Sequence, residues 1–97
     1  MDELDYIIDL IKSYLDSNSD KIDTFILKFE ESFFELENYI YKENIYVYNL
    51  LDETRMACVY YVDNEDLRKQ FDSYIGLNEF NCRLNENYKK ISEALSK

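Results

Sequence analysis

The stretch Ile22-Asp23-Thr24-Phe25-Ile26-Leu27-Lys28-Phe29-Glu30-Glu31-Ser32-Phe33-Phe34-Glu35-Leu36 decides how the chain folds. Ile22, Phe25, Ile26, Phe29, Phe33 and Leu36 recur three and four residues apart, which places them on one stripe of a helix with 3.6 residues per turn. The pattern runs to about Tyr41, and Lys42-Glu43-Asn44 is the natural break. Upstream, Leu4, Ile7, Ile8, Ile11, Tyr14 and Leu15 trace a first amphipathic helix. The polar cluster Ser17-Asn18-Ser19-Asp20 separates the two and supplies residues that cap a helix start.

Downstream, Val47, Leu50, Leu51, Thr54, Cys58 and Tyr61 predict a third helix, although the β-branched and aromatic run Val59 to Val62 also fits a strand. Residues 63–76 read either as a structured loop or as a short helix. In the second case Asp63 or Asn64 caps it, and Leu67, Phe71, Tyr74 and Ile75 carry it. Gly76 is a stop, Asn78 a candidate N-cap, and Leu77, Phe80, Leu84, Tyr88, Ile91 and Leu95 line a final helix. Proline is absent and Gly76 is the single glycine, so the residues that make tight hairpins are missing. Amphipathic helices on short links bury their stripes against one another. The expectation is an all-α fold, one domain over residues 1–97, built as a single antiparallel bundle of four helices with room for a short fifth.

The 97 residues suffice for a core without metal or disulfide help, and 46% of them are apolar. Cys58 and Cys82 are therefore expected to be unbridged, buried thiols of a reducing compartment. The acidic start Met1-Asp2-Glu3-Leu4-Asp5 is unlike a signal peptide, and the longest apolar run, Met56 to Val62, is too short to span a bilayer. A cytoplasmic location follows as the expectation.

The composition also removes function classes. Without histidine there is no Ser-His or Cys-His pair and no imidazole ligand for zinc. The Glu-x-x-His pair of di-iron bundles and the Asp-x-Asp-x-Asp-Gly rhythm of calcium loops are absent, and one glycine cannot build a phosphate-cradling loop. No catalytic residue, metal or cofactor is expected; the chain reads as a binding protein and not an enzyme.

The net charge is −10 and unevenly spread. Residues 1–26 hold seven acids against two bases, 27–66 ten against three, and 67–97 four against six. Such a field repels nucleic acid and anionic membranes and attracts basic proteins. On helix two, Asp23, Leu27, Glu30, Phe34, Glu37 and Tyr41 fall on a flank beside the core stripe, with acids and large apolar groups alternating. On helix three, Asp52, Glu53, Met56, Tyr60 and Asp63 lie away from the core side. The candidate partner-binding set is Glu30, Phe34, Glu37, Tyr41, Asp52, Glu53, Met56, Tyr60 and Asp63, where aromatic area and carboxylates suit a basic protein. The competing reading is that Leu27, Phe34, Tyr41, Met56 and Tyr60 pack against a third or fourth helix.

One family has a similar layout. Ile8-Asp9-Leu10-Ile11-Lys12-Ser13-Tyr14-Leu15, the link to Ser19-Asp20, then Phe25, Lys28-Phe29-Glu30 and Phe33-Phe34-Glu35-Leu36 resemble the colicin D immunity family. Leu50-Leu51-Asp52-Glu53, Tyr60-Tyr61-Val62-Asp63, Asn78-Glu79 and Arg83-Leu84 extend the likeness over nearly the whole chain, with residues 64–75 departing from it. The resemblance implies a helical immunity protein, as in bacteriocin and contact-dependent growth inhibition systems. Such a protein neutralises the basic, tRNase-like nuclease domain of a toxin by covering its active site with acidic side chains. It carries no single contact residue over. Two alternatives stand beside it: an acidic adaptor or nucleic-acid mimic that inhibits another basic protein, and a structural helical module that self-associates.

Overall fold

A computed structural model of the chain describes residues 3–17 and 21–96. It contains α1 (Glu3–Asp16), α2 (Ile22–Glu43), α3 (Ile45–Tyr60), the single turn α4 (Glu65–Arg68) and α5 (Leu77–Leu95). The four long helices form a closed ring in which α1 packs on α2, α2 on α3, α3 on α5 and α5 on α1. Neighbours run antiparallel, so the all-α, four-helix architecture with a short fifth helix is the one the periodicities require.

The connection between α2 and α3 fixes the geometry of everything below. It is one residue long. Asn44 adopts an extended conformation (φ −162°, ψ 99°), which stops α2 while its N–H still donates to the Ile40 carbonyl at 3.0 Å. Its side-chain Oδ1 then accepts from Val47 N–H at 3.1 Å, capping α3, and its carbonyl accepts from Tyr48 N–H at 2.9 Å. An asparagine ends one helix and begins the next because its short amide satisfies a donor that the new helix leaves open.

The start of α2 differs from the expected cap. Asn18, Ser19 and Asp20 lie outside the described residues, and the residue bounding α2 is Lys21, left-handed at φ 59°, with no side-chain cap. Ser17 serves the preceding end instead, donating its hydroxyl to the Tyr14 carbonyl at 2.6 Å.

Three further expectations are corrected after Tyr60. The third helix stops there, and Tyr61 turns extended, forming one parallel bridge with Ile75. Ile75 N–H donates to the Tyr60 carbonyl, Val62 N–H donates to the Ile75 carbonyl, each at 3.0 Å, and Arg68 donates to the Val62 carbonyl at 2.7 Å. The strand reading of Val59 to Val62 thus survives as a single bridge, which returns the chain to the level where α5 begins. The short helix is one turn capped by Asn64, whose Oδ1 accepts from Asp66 and Leu67 N–H. It buries neither Leu67 nor Phe71, because the bridge holds Ile75 in the core in their place. The final helix starts at Leu77, two residues earlier than an Asn78 cap would allow. Gly76 precedes it, and a Cβ there would stand 3.3 Å from the Arg68 guanidinium.

The core is continuous from end to end. Ile7, Ile11, Phe29, Ile40, Leu51, Phe80, Leu84 and Ile91 are fully buried. Tyr14 stacks on Phe25 at 4.7 Å between ring centres and donates its hydroxyl to Asn81, tying α1 to both neighbours. In mid-bundle, Asn87 donates to Thr54 Oγ1 at 3.1 Å, and Thr54 donates to the Leu50 carbonyl at 3.0 Å. Among the described residues this pair is the buried polar exception, fully satisfied, and it sets the register of α3 against α5.

Cys58 and Cys82 are unbridged, as expected. Cys82 is exposed and not buried, because it lies on the outer side of α5. Among the described residues no helix is long and apolar enough to cross a membrane.

Candidate partner-binding surface

The one-residue link at Asn44 lays α2 and α3 side by side, and their adjoining outer flanks make one continuous face. Phe33, on the α3 side of the α2 core stripe, stacks on Tyr48 with ring centres 5.7 Å apart. Tyr41 meets Tyr48 edge-on at 5.3 Å. Arg55 lies across the same seam, its guanidinium carbon 5.9 Å from the Phe33 ring centre and 6.0 Å from that of Phe34. These contacts join Phe34 and Tyr41 of α2 to Tyr48 and Arg55 of α3.

The apolar groups on this face are open. Leu27, Phe34 and Tyr41 are 61%, 57% and 56% exposed. The reading that would have packed them against another helix therefore fails for these three. It holds for Tyr60, half-buried against the core, while Met56 is also half-buried. Glu30 and Glu37 are half-buried beside Phe34, four residues before it and three after.

The nine residues singled out in the sequence do not all share this face. Glu30, Phe34, Glu37 and Tyr41 lie on it together, and Asp52 borders it through its 3.0 Å ion pair with Arg55. Glu53 turns the other way, while Met56 touches both sides: its Sδ accepts from Arg55 Nη2 at 3.4 Å, and with Asp52 and Glu53 it lines a shallow depression shared with Arg83, Asn87 and Lys90 of α5. Asp63 is exposed but lies in the extended segment beyond the end of α3, so it is not part of that helix's outer face. The reason is rotational. Because α3 packs on both α2 and α5, its outer face is a narrow strip, and residues 100° apart fall into different grooves.

Arg55 and Tyr48 are the members that the sequence reading missed. The signal for Arg55 was the spacing Asp52 to Arg55, which puts both on one side of a helix. For Tyr48 it was a position seven residues before Arg55.

Electrostatically the face is negative with one internal cation. Arg55 offsets Asp52, whereas among the described residues neither Glu30 nor Glu37 has an ion-pair partner. Beneath the face, Cys58 feels both signs. Burial first, and Glu30 second, push its thiol up to about 12 against the opposing charge of Arg55. It stays protonated and is no nucleophile at neutral pH. Tyr61, at the far end of the seam, is also raised, first by burial, then by Asp63 and Asp23, against Arg68. Among the described residues no group of three or more acids or cysteines could hold a metal ion. What the arrangement can do is receive a cationic, partly apolar protein surface. Comparison with protein-family models, curated proteins and solved structures finds no match for this chain.

Proposed function

We propose that the protein is an inhibitor of the immunity type, which binds a basic nuclease domain of a bacterial toxin through the α2–α3 face and keeps RNA from its active site. One observation carries this reading. Three large apolar side chains stand more than half exposed along α2, and the carboxylates between them have no ion-pair partner among the described residues. A protein gains nothing in stability from that arrangement, whereas a basic partner finds both contact area and charge there. The resemblance of the helix pattern to the colicin D immunity family points the same way, and so does a net charge of −10. Binding by occlusion needs no catalytic residue on this chain.

Self-association through the same face is disfavoured, because two copies would bring their acid rows together. The test is co-expression with a basic toxin nuclease domain encoded beside this chain. RNA cleavage should stop with the wild-type protein and resume when Glu30 and Glu37 are changed to Lys. Full protection by that double variant would remove the face from the reading, and failure of every such domain to co-purify would remove the reading itself.

A further inference from the structure

We infer that the partner segment seated on this face is an amphipathic α-helix with cationic residues interleaved among its apolar ones. This rests on the reading of the α2–α3 face as the partner-binding surface and specifies what that surface recognises.

The argument is one of spacing. Leu27, Phe34 and Tyr41 follow each other at seven-residue intervals, and so do Asp23, Glu30 and Glu37. Together they form a run of steps of four and three residues along one flank of α2. The facing strip of α3 has the same interval: Ile45, Asp52 and Val59, with Ile45 and Val59 49% and 52% exposed. Two antiparallel helices thus present parallel rails of large side chains, each repeating about every 10.5 Å at 1.5 Å per residue. Tyr48 and Arg55, also seven apart, floor the groove between them.

A seven-residue repeat is what knobs-into-holes packing requires of each member of a left-handed coil, and a third helix lying along the groove meets both rails in register. An extended segment does not. Its same-side residues recur about every 6.7 Å, so it falls out of step with a 10.5 Å repeat within two contacts. The α2 rail from Leu27 to Tyr41 is about 21 Å long, room for roughly three heptads with their flanks.

Charge selects the sequence of that helix. Asp52 is already held by Arg55 at 3.0 Å, while Glu30 and Glu37, one heptad apart, have no ion-pair partner among the described residues. A helix that places Lys or Arg one heptad apart, with apolar residues between, reaches both carboxylates and covers Phe34. A second copy of this chain offers acids at those positions and is excluded as the occupant.

The probe is a pair of synthetic peptides of about three heptads with identical composition. One carries Leu and Arg in four-three alternation, and the other carries the same residues in strict two-residue alternation. Each is titrated into isotope-labelled full-length protein at physiological salt and followed by NMR. The helical pattern should bind at least about tenfold tighter. It should gain helicity on binding and perturb amides of residues 27–41 and 45–59. Phe34→Ala, an exposed position that should leave folding intact, should reduce the difference between the peptides. Equal affinity, or tighter binding of the two-residue pattern, overturns the helix while leaving the face as a cation-binding surface. Perturbation centred on α5 or on residues 61–76 overturns both, and a dimer of the free protein that Phe34→Ala dissociates overturns the choice of occupant.

Discussion

The guanidinium of Arg55 lies 6.0 Å above the ring of Phe34 while its Nε donates to Asp52 at 3.0 Å. This is the protein's own example of how the α2–α3 face holds a cation: a ring beneath and a carboxylate at the edge. Phe34 is 57% exposed, and Glu30 and Glu37 stand on either side of it along α2. The same chemistry is therefore open to a second cation arriving from outside.

Removing the internal cation should make the face a stronger attractor. Arg55→Met keeps most of the apolar stem over Phe33 and Phe34 but leaves Asp52 unpaired. Association with a basic partner should accelerate, with a steeper salt dependence, as one more unscreened acid joins Glu30 and Glu37. The stability change should stay within about 1 kcal/mol, because the pair and the ring contacts are partly solvated. Stopped-flow association at two salt concentrations and a urea titration measure the two effects.

The buried pair Thr54–Asn87 should behave as a coupled unit. Thr54→Val leaves the Asn87 amide without its acceptor in the middle of the bundle and should cost about 1–3 kcal/mol. Combining Thr54→Val with Asn87→Leu should recover much of that loss, since both unmet polar groups are then gone. Chemical denaturation of the four corners of this cycle gives the coupling, and simple additivity would show that the two side chains do not depend on each other.

Alkaline pH should weaken the fold before it weakens simpler helical proteins. The Cys58 thiol is raised from 9.0 to about 12, and Tyr61 is raised above 10.0. Both groups lose protons in the unfolded chain at a lower pH than in the folded one. Stability is thus complete below about pH 9 and declines as pH rises toward 12, by up to about 1.4 kcal/mol per pH unit for the buried Cys58 thiol, with the more exposed Tyr61 acting in the same direction. Cys58→Ala should flatten the decline between about pH 9 and 11. In the wild-type protein, Cys82 should react with a thiol reagent at once and Cys58 only at the rate of opening.

The bundle is legible in the sequence because helix periodicity is a local property. Phe25, Phe29 and Phe33 announce their stripe whatever lies opposite, and Asn44 announces a break by its chemistry. The link of residues 61–76 is not legible, since Ile75 is fixed by backbone bonds to Tyr60 and Val62 that leave no mark in side-chain pattern. The same limit applies to the face. The α2 flank can be read from its own sequence, and Glu30, Phe34, Glu37 and Tyr41 do share it. Which side of α3 adjoins that flank depends on how two helices are rotated about each other. Local pattern therefore groups Glu53 and Asp63 with Phe34 and Tyr41, from which the rotation and the end of α3 part them, and passes over Arg55.

Charge reversal and aromatic truncation should separate encounter from lifetime on this face. Glu30→Lys with Glu37→Lys removes two acids with no ion-pair partner among the described residues, so association with a basic toxin domain should slow and its salt dependence flatten. Phe34→Ala and Tyr41→Ala remove exposed rings that contribute little to the core. Each should leave thermal stability within about 1 kcal/mol while speeding dissociation by roughly tenfold or more, as expected of aromatic anchors. Tyr60→Ala makes the contrast. Its ring is half-buried against the core, so its loss should cost about 2 kcal/mol of stability and change binding little once the protein is folded. Surface-plasmon kinetics and thermal denaturation of the same variants distinguish these outcomes. If Tyr60→Ala alone accelerated dissociation, and Phe34→Ala did not, the partner would sit toward the end of α3 and not over the α2 rail.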